Sequence, residues 1–135
     1  MKLPPAFDER PFAVQLIGLV VVPVIFGVLT GFALGWSEVL YLILVGPIGM
    51  IGGFLGGVEH RGFEDGFIRG LVGGLVYGSF ILLGHKIAGT DAKAELIDPQ
   101  VGLVVLTTVI GGVLGGLGGR YRARRETGDG AYEPA

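Results

Sequence analysis

The sequence predicts an all-α integral membrane protein, folded as a four-helix bundle, and three observations lead to that fold class. The chain contains four long apolar runs, only 16% of its residues are charged, and 27 of its 135 residues are glycine. A soluble domain carries about 25% charged residues and about 7% glycine. The hydrophobic content excludes a disordered chain, and the absence of cysteine excludes a disulfide scaffold.

Each apolar run is long enough to cross a bilayer, which takes about 20 residues in a helix. The runs cover residues 13–35, 39–58, 66–84 and 101–119, and Arg69 is the one charged residue within them. Because they are continuously apolar and longer than the strands of a membrane barrel, they predict helices. The four spans form a single membrane domain over residues 1–125, and the small, polar residues 126–135 predict a flexible cytoplasmic tail.

The lysines and arginines set the expected orientation, because cytoplasmic loops carry the excess of positive charge. The side opposite both termini has only Lys86 and Lys93. The side of the termini has Lys2, Arg10, Arg61, Arg69, Arg120, Arg122, Arg124 and Arg125. This difference predicts a multi-pass protein of the plasma (inner) membrane with both termini in the cytoplasm.

Glycine recurs every four residues in all four predicted helices. Hydrophobicity does not drive helices together in lipid, whereas rows of small residues allow their backbones to pack closely. We therefore expect glycine-zipper packing, within the chain or between copies. The predicted packing residues are Gly27, Gly31, Gly49, Gly53, Gly57, Gly66, Gly70, Gly74, Gly78, Gly111, Gly115 and Gly119.

Two glycine-rich segments align with each other at an offset of 59 residues. Seven of eleven positions match between Ile51–Arg61 and Ile110–Arg120. Both segments run towards the cytoplasm and end in arginine, as expected for a duplicated two-helix hairpin in parallel orientation. The alternative is a chance match between two glycine-rich stretches, since the first and third helices align poorly.

Charged residues gather at the cytoplasmic edge. A polar cluster there consists of Glu59, His60, Arg61, Glu64, Asp65 and Arg69. Asp65 and Arg69 are spaced to pair on one helix face, and the cluster is either an ordinary interfacial charge group or a gate or docking surface. Beyond the fourth span, a basic group is expected to contact lipid headgroups; it consists of Arg120, Arg122, Arg124 and Arg125.

The remaining polar residues indicate little chemistry. The hydroxyls of Thr30, Tyr77, Ser79, Thr107 and Thr108 either bond within the bundle or line a narrow path. No carboxylate, lysine or histidine lies deep in a span, where coupled carriers place an ionisable group. We predict no catalytic residue, cofactor or metal site, and the net charge of −2 gives no sign of nucleic-acid binding.

The glycine-rich segments from Gly52 to Arg122, among them GGFLGGVEHRGFEDG, RGLVGGLVYG and IGGVLGGLGGRYR, give the chain a family likeness. It resembles small glycine-rich four-span prokaryotic membrane proteins of unknown function. The resemblance implies the fold and no activity. Small multidrug transporters fit badly, because their first helix carries a glutamate that residues 13–35 lack. Fluoride channels also fit badly, because they use a pore asparagine and this chain has none.

Two functions are compatible with these features. The first is a non-enzymatic structural or assembly protein of the membrane, which packs through its glycine rows as a homo-oligomer or as a subunit of a larger membrane complex. The second is an oligomeric channel or uncoupled permeation pathway for a small solute or ion. In both cases the partners are the lipid bilayer and other membrane proteins.

Overall fold

The computed structural model describes residues 3–96 and 98–131, and this part of the chain forms four long helices and no strand. They are α1 (Phe12–Leu34), α2 (Glu38–Val58), α3 (Phe63–Ala88) and α4 (Val101–Ala131). Each helix is long and apolar enough to cross a membrane. The predicted all-α fold with four apolar helices is therefore confirmed, and the architecture is that of a multi-pass membrane protein.

The prolines of α1 and α2 coincide with π-helical turns. The wider turn covers Ile17–Val21 just before Pro23 in α1, and Leu44–Ile48 around Pro47 in α2. Proline has no N–H and its ring clashes with the carbonyl four residues earlier, so a continuous α-helical ladder cannot pass through it. The wider turns displace backbone carbonyls from the α-helical register, and side chains of α3 bond to two of them.

Local signals explain several helix ends. The Ser37 side chain accepts a hydrogen bond from the Leu40 N–H at 3.3 Å and so caps α2. Gly89, with φ of 66°, ends α3 in the left-handed conformation that glycine adopts without strain. The helix α3 begins before and ends after the predicted residues 66–84.

The fourth helix is longer than the sequence predicts. It continues past residue 119 and through much of the expected flexible tail, to Ala131. The residues that follow the apolar run are mostly good helix formers, and Arg122 forms an i,i+4 ion pair with Glu126 at 2.9 Å. Residues 132–135 of the expected tail lie outside the described residues.

The helix α3 lies at the centre of the bundle. It packs most extensively against α4 and next against α1, whereas α2 rests mainly on α4. In the most apolar stretch of each helix, 28% of residues are buried in α3 and in α4, against 11% in α1 and 6% in α2. The first two helices thus present most of their apolar surface to the surroundings.

The two ends of the bundle differ. At one end, here named the hairpin end, the loop after α3 folds back so that the Lys93 N–H donates to the Leu34 carbonyl at 2.7 Å. The hydrophobic core lies there and consists of Ala33, Leu34, Tyr41, Ile81, Ala94 and Leu103. The opposite end, the terminal end, joins the N-terminal segment 4–10, the loop 59–62 and the last turns of α4.

Candidate functional site

The backbones of α3 and α4 come into contact where both helices carry glycine. A Cβ atom built on Gly70 would lie 2.5 Å from the carbonyl carbon of Gly111, and one on Gly111 would lie 2.5 Å from the Gly70 carbonyl oxygen. Real Cβ atoms essentially never come within 3.0 Å of such neighbours. Gly66 meets Gly115 in the same way. Any larger residue at these positions would force the two helices apart.

The other predicted packing glycines have different neighbours. In α3, Gly74 and Gly78 approach Thr107, and in α4 Gly119 approaches the backbone of Gly62. Gly57 of α2 meets the backbone of Gly115. The predicted glycines of α1 contact α3: Gly27 lies against the Tyr77 carbonyl and Gly31 against Ile81 and His85.

Several glycines of α1 and α2 have open space beside them. A Cβ at Gly18, Gly46 or Gly52 would meet no other part of residues 3–96 and 98–131 within 4 Å. Of the predicted packing residues, Gly53 would make ordinary contact with the Leu114 side chain and Gly49 with that of Tyr77. Gly52 is exposed on the outer face of α2, so its lack of a side chain serves no contact within the part of the chain that the structure describes.

Of the five span hydroxyl groups predicted either to bond within the bundle or to line a path, four bond to nearby backbone carbonyls, and Ser79 makes no hydrogen bond with any described residue. Thr30 is fully buried and donates to the Phe26 carbonyl at 2.7 Å. The Tyr77 hydroxyl donates to the Leu44 carbonyl at the π-turn of α2, at 3.0 Å, and lies 3.1 Å from the Thr30 hydroxyl. Thr107 donates to the Gly74 carbonyl of α3 at 2.8 Å. Thr108 bonds within its own helix, to Val104. The hydrogen bonds of Tyr77 and Thr107 thus join two helices, whereas those of Thr30 and Thr108 to backbone carbonyls stay within their own helix.

At the terminal end, the N-terminal segment 4–10 docks on the loop 59–62. The Phe7 N–H donates to the Glu59 carbonyl at 2.8 Å, and Arg10 forms an ion pair with the Glu59 carboxylate at 2.9 Å. The ring of Phe7 stacks on that of His60 with centroids 4.9 Å apart. Sequence reasoning missed this docking, because contacts so distant in sequence leave no periodic pattern.

Arg61 and His60 of the predicted polar cluster lie in different electrostatic environments. Arg61 is paired with Asp8 and Glu9, and the Asp8 charge raises the pKa of its guanidinium. Burial lowers the pKa of His60, and the positive charge of Arg69 lowers it further. Glu64 and Asp65 are exposed and form no ion pair with any described residue.

The basic residues after the fourth span do not share one environment. Arg120 and Arg124 are exposed. Arg122 is only 5% exposed and donates to the Pro4 carbonyl at 2.8 Å and the Val58 carbonyl at 3.1 Å. It therefore joins the N-terminal segment to the end of α2. The half-buried Arg125 belongs to the same helix end.

The side chain of Arg69 extends from α3 into the space between α1 and α2. Its Nη2 donates to the Gly18 carbonyl at 2.6 Å, and its side chain lies beside Gly56. The expected partner, Asp65, does not bind it: among the described residues Arg69 has no ion pair, and its buried Nε has no hydrogen-bond partner. The buried Nε2 of His60 is likewise without a partner there.

Two open clefts flank the helices. A cleft of about 230 Å³ lies beside Arg69 at the terminal end, between α1 and α3. A cleft of about 460 Å³ at the hairpin end is formed by Leu82, Leu83, His85, Lys86, Gly89, Thr90 and Gln100. In the part of the chain that the structure describes, no group of three or more His, Asp or Glu side chains is placed to hold a metal ion.

Comparison of the chain with protein-family models, with curated proteins and with solved structures gives no match.

Proposed function

We propose that this chain is a non-enzymatic assembly protein of the plasma membrane, which packs its third and fourth helices as a glycine zipper and self-associates through α2. Its termini face the cytoplasm in this proposal, as the distribution of lysine and arginine favours. The observation that carries the proposal is the position of the glycines that remain open, above all Gly52.

The glycines of α3 and α4 are engaged inside the chain. Their close backbone contacts, such as Gly70 with Gly111, support a zipper between these two helices. These contacts leave no glycine row of α3 free for another subunit. Association with a second copy must therefore use another surface.

An exposed glycine on a lipid-facing helix needs a reason. Glycine weakens a helix by about 1 kcal/mol relative to alanine, and lipid gains nothing from the missing side chain. A Cβ atom built on Gly52 would meet no other part of the described chain within 4 Å, and the exposed residues Ile48, Ile51 and Leu55 flank this position. A shallow notch between apolar side chains fits a helix of a second copy, whose backbone can approach there closely.

The hydroxyl groups favour assembly over permeation through a single chain. Thr30, Tyr77, Thr107 and Thr108 donate their protons to backbone carbonyls of the bundle. A pore needs such groups to face a continuous wet path. Neither of the two clefts described above runs the length of the helices.

The test compares Gly52→Leu with a matched leucine substitution on another exposed face, Val105→Leu on α4. Native mass spectrometry of gently extracted protein gives the oligomeric state. We expect Gly52→Leu to shift the wild-type oligomer towards monomer while the thermal stability of the monomer is unchanged or rises. Val105→Leu keeps the wild-type assembly. An oligomer that survives Gly52→Leu unchanged, or a wild-type protein that is monomeric at all concentrations, contradicts the proposal.

A further inference from the structure

The guanidinium of Arg69 lies within an apolar span and is bound to no counter-charge among the described residues. The nearby Glu59 is already paired with Arg10 at 2.9 Å, and Asp65 stays exposed and apart. Only Nη2 of Arg69 has an acceptor among the described residues. An ionisable side chain in a membrane span is costly to keep there and usually marks a functional site.

The Gly18 carbonyl that holds Arg69 is available because of the α1 proline. In the π-turn, the Val22 N–H donates five residues back, to Ile17. The donor for Gly18 in that register would be residue 23, which is proline and has no N–H. This contact fixes one edge of the guanidinium and leaves its other donors for a further acceptor.

The lining of the cleft beside Arg69 combines apolar and polar side chains. Leu19, Ile68 and Val72 line one part of it. Ile68 is 59% exposed, so the cleft opens on the outer, lipid-facing flank of α1 and α3. The other part of the lining consists of Phe7, His60, Asp65 and Arg69.

Arg69 lies less than two helical turns from the start of α3. It is the seventh residue of α3, so its Cα lies about 9 Å from the start of a helix that rises 1.5 Å per residue. Side chains on a helix also tilt towards its N-terminus, which for α3 is the terminal end of the bundle. A guanidinium at this level, with no ion pair to a described residue and with Leu19, Ile68 and Val72 lining the same cleft, complements a phospholipid.

We propose that this cleft binds a single phospholipid whose headgroup carries both a phosphate and an ammonium group. The phosphate accepts hydrogen bonds from Arg69, and an acyl chain lies along Leu19, Ile68 and Val72. The ammonium pairs with the exposed carboxylate of Asp65, which would repel a headgroup that is only negative. The pair of charges on the protein thus selects a zwitterionic headgroup.

The experiment measures lipid binding to the purified protein in detergent by native mass spectrometry. The probes are phosphatidylethanolamine, phosphatidylglycerol with the same acyl chains, and inorganic phosphate. We expect the wild type to bind phosphatidylethanolamine in preference to phosphatidylglycerol. Arg69→Gln weakens that binding about tenfold, the scale of one charge-assisted hydrogen bond. Asp65→Asn removes the preference between the two lipids.

Two further variants keep the result interpretable. Val72→Trp fills the apolar wall while leaving Arg69 and its Gly18 contact in place, so it lowers lipid binding even if Arg69→Gln fails to fold. Lys93→Gln removes an exposed positive charge in the loop at the hairpin end, outside the cleft and outside the basic group of α4, and leaves binding unchanged. The proposal is overturned if Val72→Trp binds lipid like the wild type, if phosphatidylglycerol is preferred, or if inorganic phosphate displaces the lipid at equal concentration.

Discussion

Gly70 shows, at the scale of single residues, how little space separates α3 from α4. The space that a side chain at position 70 would need is filled by the backbone of Gly111. Backbone atoms cannot rotate out of the way as the end of a side chain can. We expect Gly70→Leu to lower the free energy of unfolding by about 3 kcal/mol or more, since overpacking against flexible side chains alone costs about 1–3 kcal/mol.

The measurement for Gly70→Leu is unfolding in mixed micelles of increasing SDS content, followed by circular dichroism. Gly52→Leu is the matched control, because it makes the same substitution at a glycine with open space beside it. Equal unfolding curves for the two variants would show that the contact with Gly111 does not stabilise the bundle.

The glycine spacing identifies helix faces but not the neighbour of each face. The four-residue period singles out Gly70 and Gly111, which do meet, yet it also includes Gly74, which lies against Thr107. Gly118 was not among the predicted packing residues, although it approaches Phe54 and Val58 of α2 closely. The reason is physical: a period fixes the direction of a side chain around one helix, whereas the neighbour depends on how all the helices cross.

At the scale of elements, the N-terminal segment 4–10 is a short strap across the terminal end. Phe7 stacks on His60, and Arg122 reaches the segment from α4. Ala6, in the middle of it, is 1% exposed. The sequence gives no periodic signal for this docking, because the segment lies outside the apolar runs.

Acidification should loosen the strap. Burial and Arg69 lower the pKa of His60, against the opposing charges of Glu59, Asp65 and Asp8. When the strap leaves, His60 regains water and its pKa moves back towards about 6.5. The released state then binds the proton more readily. Docking is therefore complete above about pH 6.5 and weakens as the pH falls from there towards the lowered pKa of the docked state.

Thiol labelling measures the docking directly, because the chain has no cysteine of its own. The maleimide reaction rate of Ala6→Cys, divided by that of the exposed Thr127→Cys, should rise between pH 7.5 and 5.5. Adding His60→Phe keeps the ring stacking and removes the titration, so its ratio should stay flat. Adding Arg122→Met removes the hydrogen bond from Arg122 to the Pro4 carbonyl, and this variant gives the labelling ratio of the released strap. A flat ratio with His60 intact contradicts the prediction.

At the scale of the whole molecule, the length and low polarity of the four apolar runs are enough to predict most of the fold. Four uninterrupted apolar stretches admit little besides four helices, because backbone groups in lipid must bond within their own segment. Composition does not determine how the helices pack: α2 is as glycine-rich as α4 but far less buried. The aligned glycines of the two similar segments illustrate this, since Gly52 is open while Gly111, its counterpart, meets Gly70.

The orientation of the bundle in the membrane can be tested by labelling of single cysteines. The N-terminal segment 4–10 and the last turns of α4 lie at the same end of the bundle, so a single inversion would move the strap, the polar cluster and the arginines of α4 to the other side together. The excess of lysine and arginine at that end predicts that it stays in the cytoplasm. In intact cells, an impermeant maleimide should label Lys93→Cys in the exposed loop at the hairpin end and should leave Thr127→Cys unlabelled until the membrane is opened. Labelling of Thr127→Cys in sealed cells would mean that the charge difference does not set the orientation.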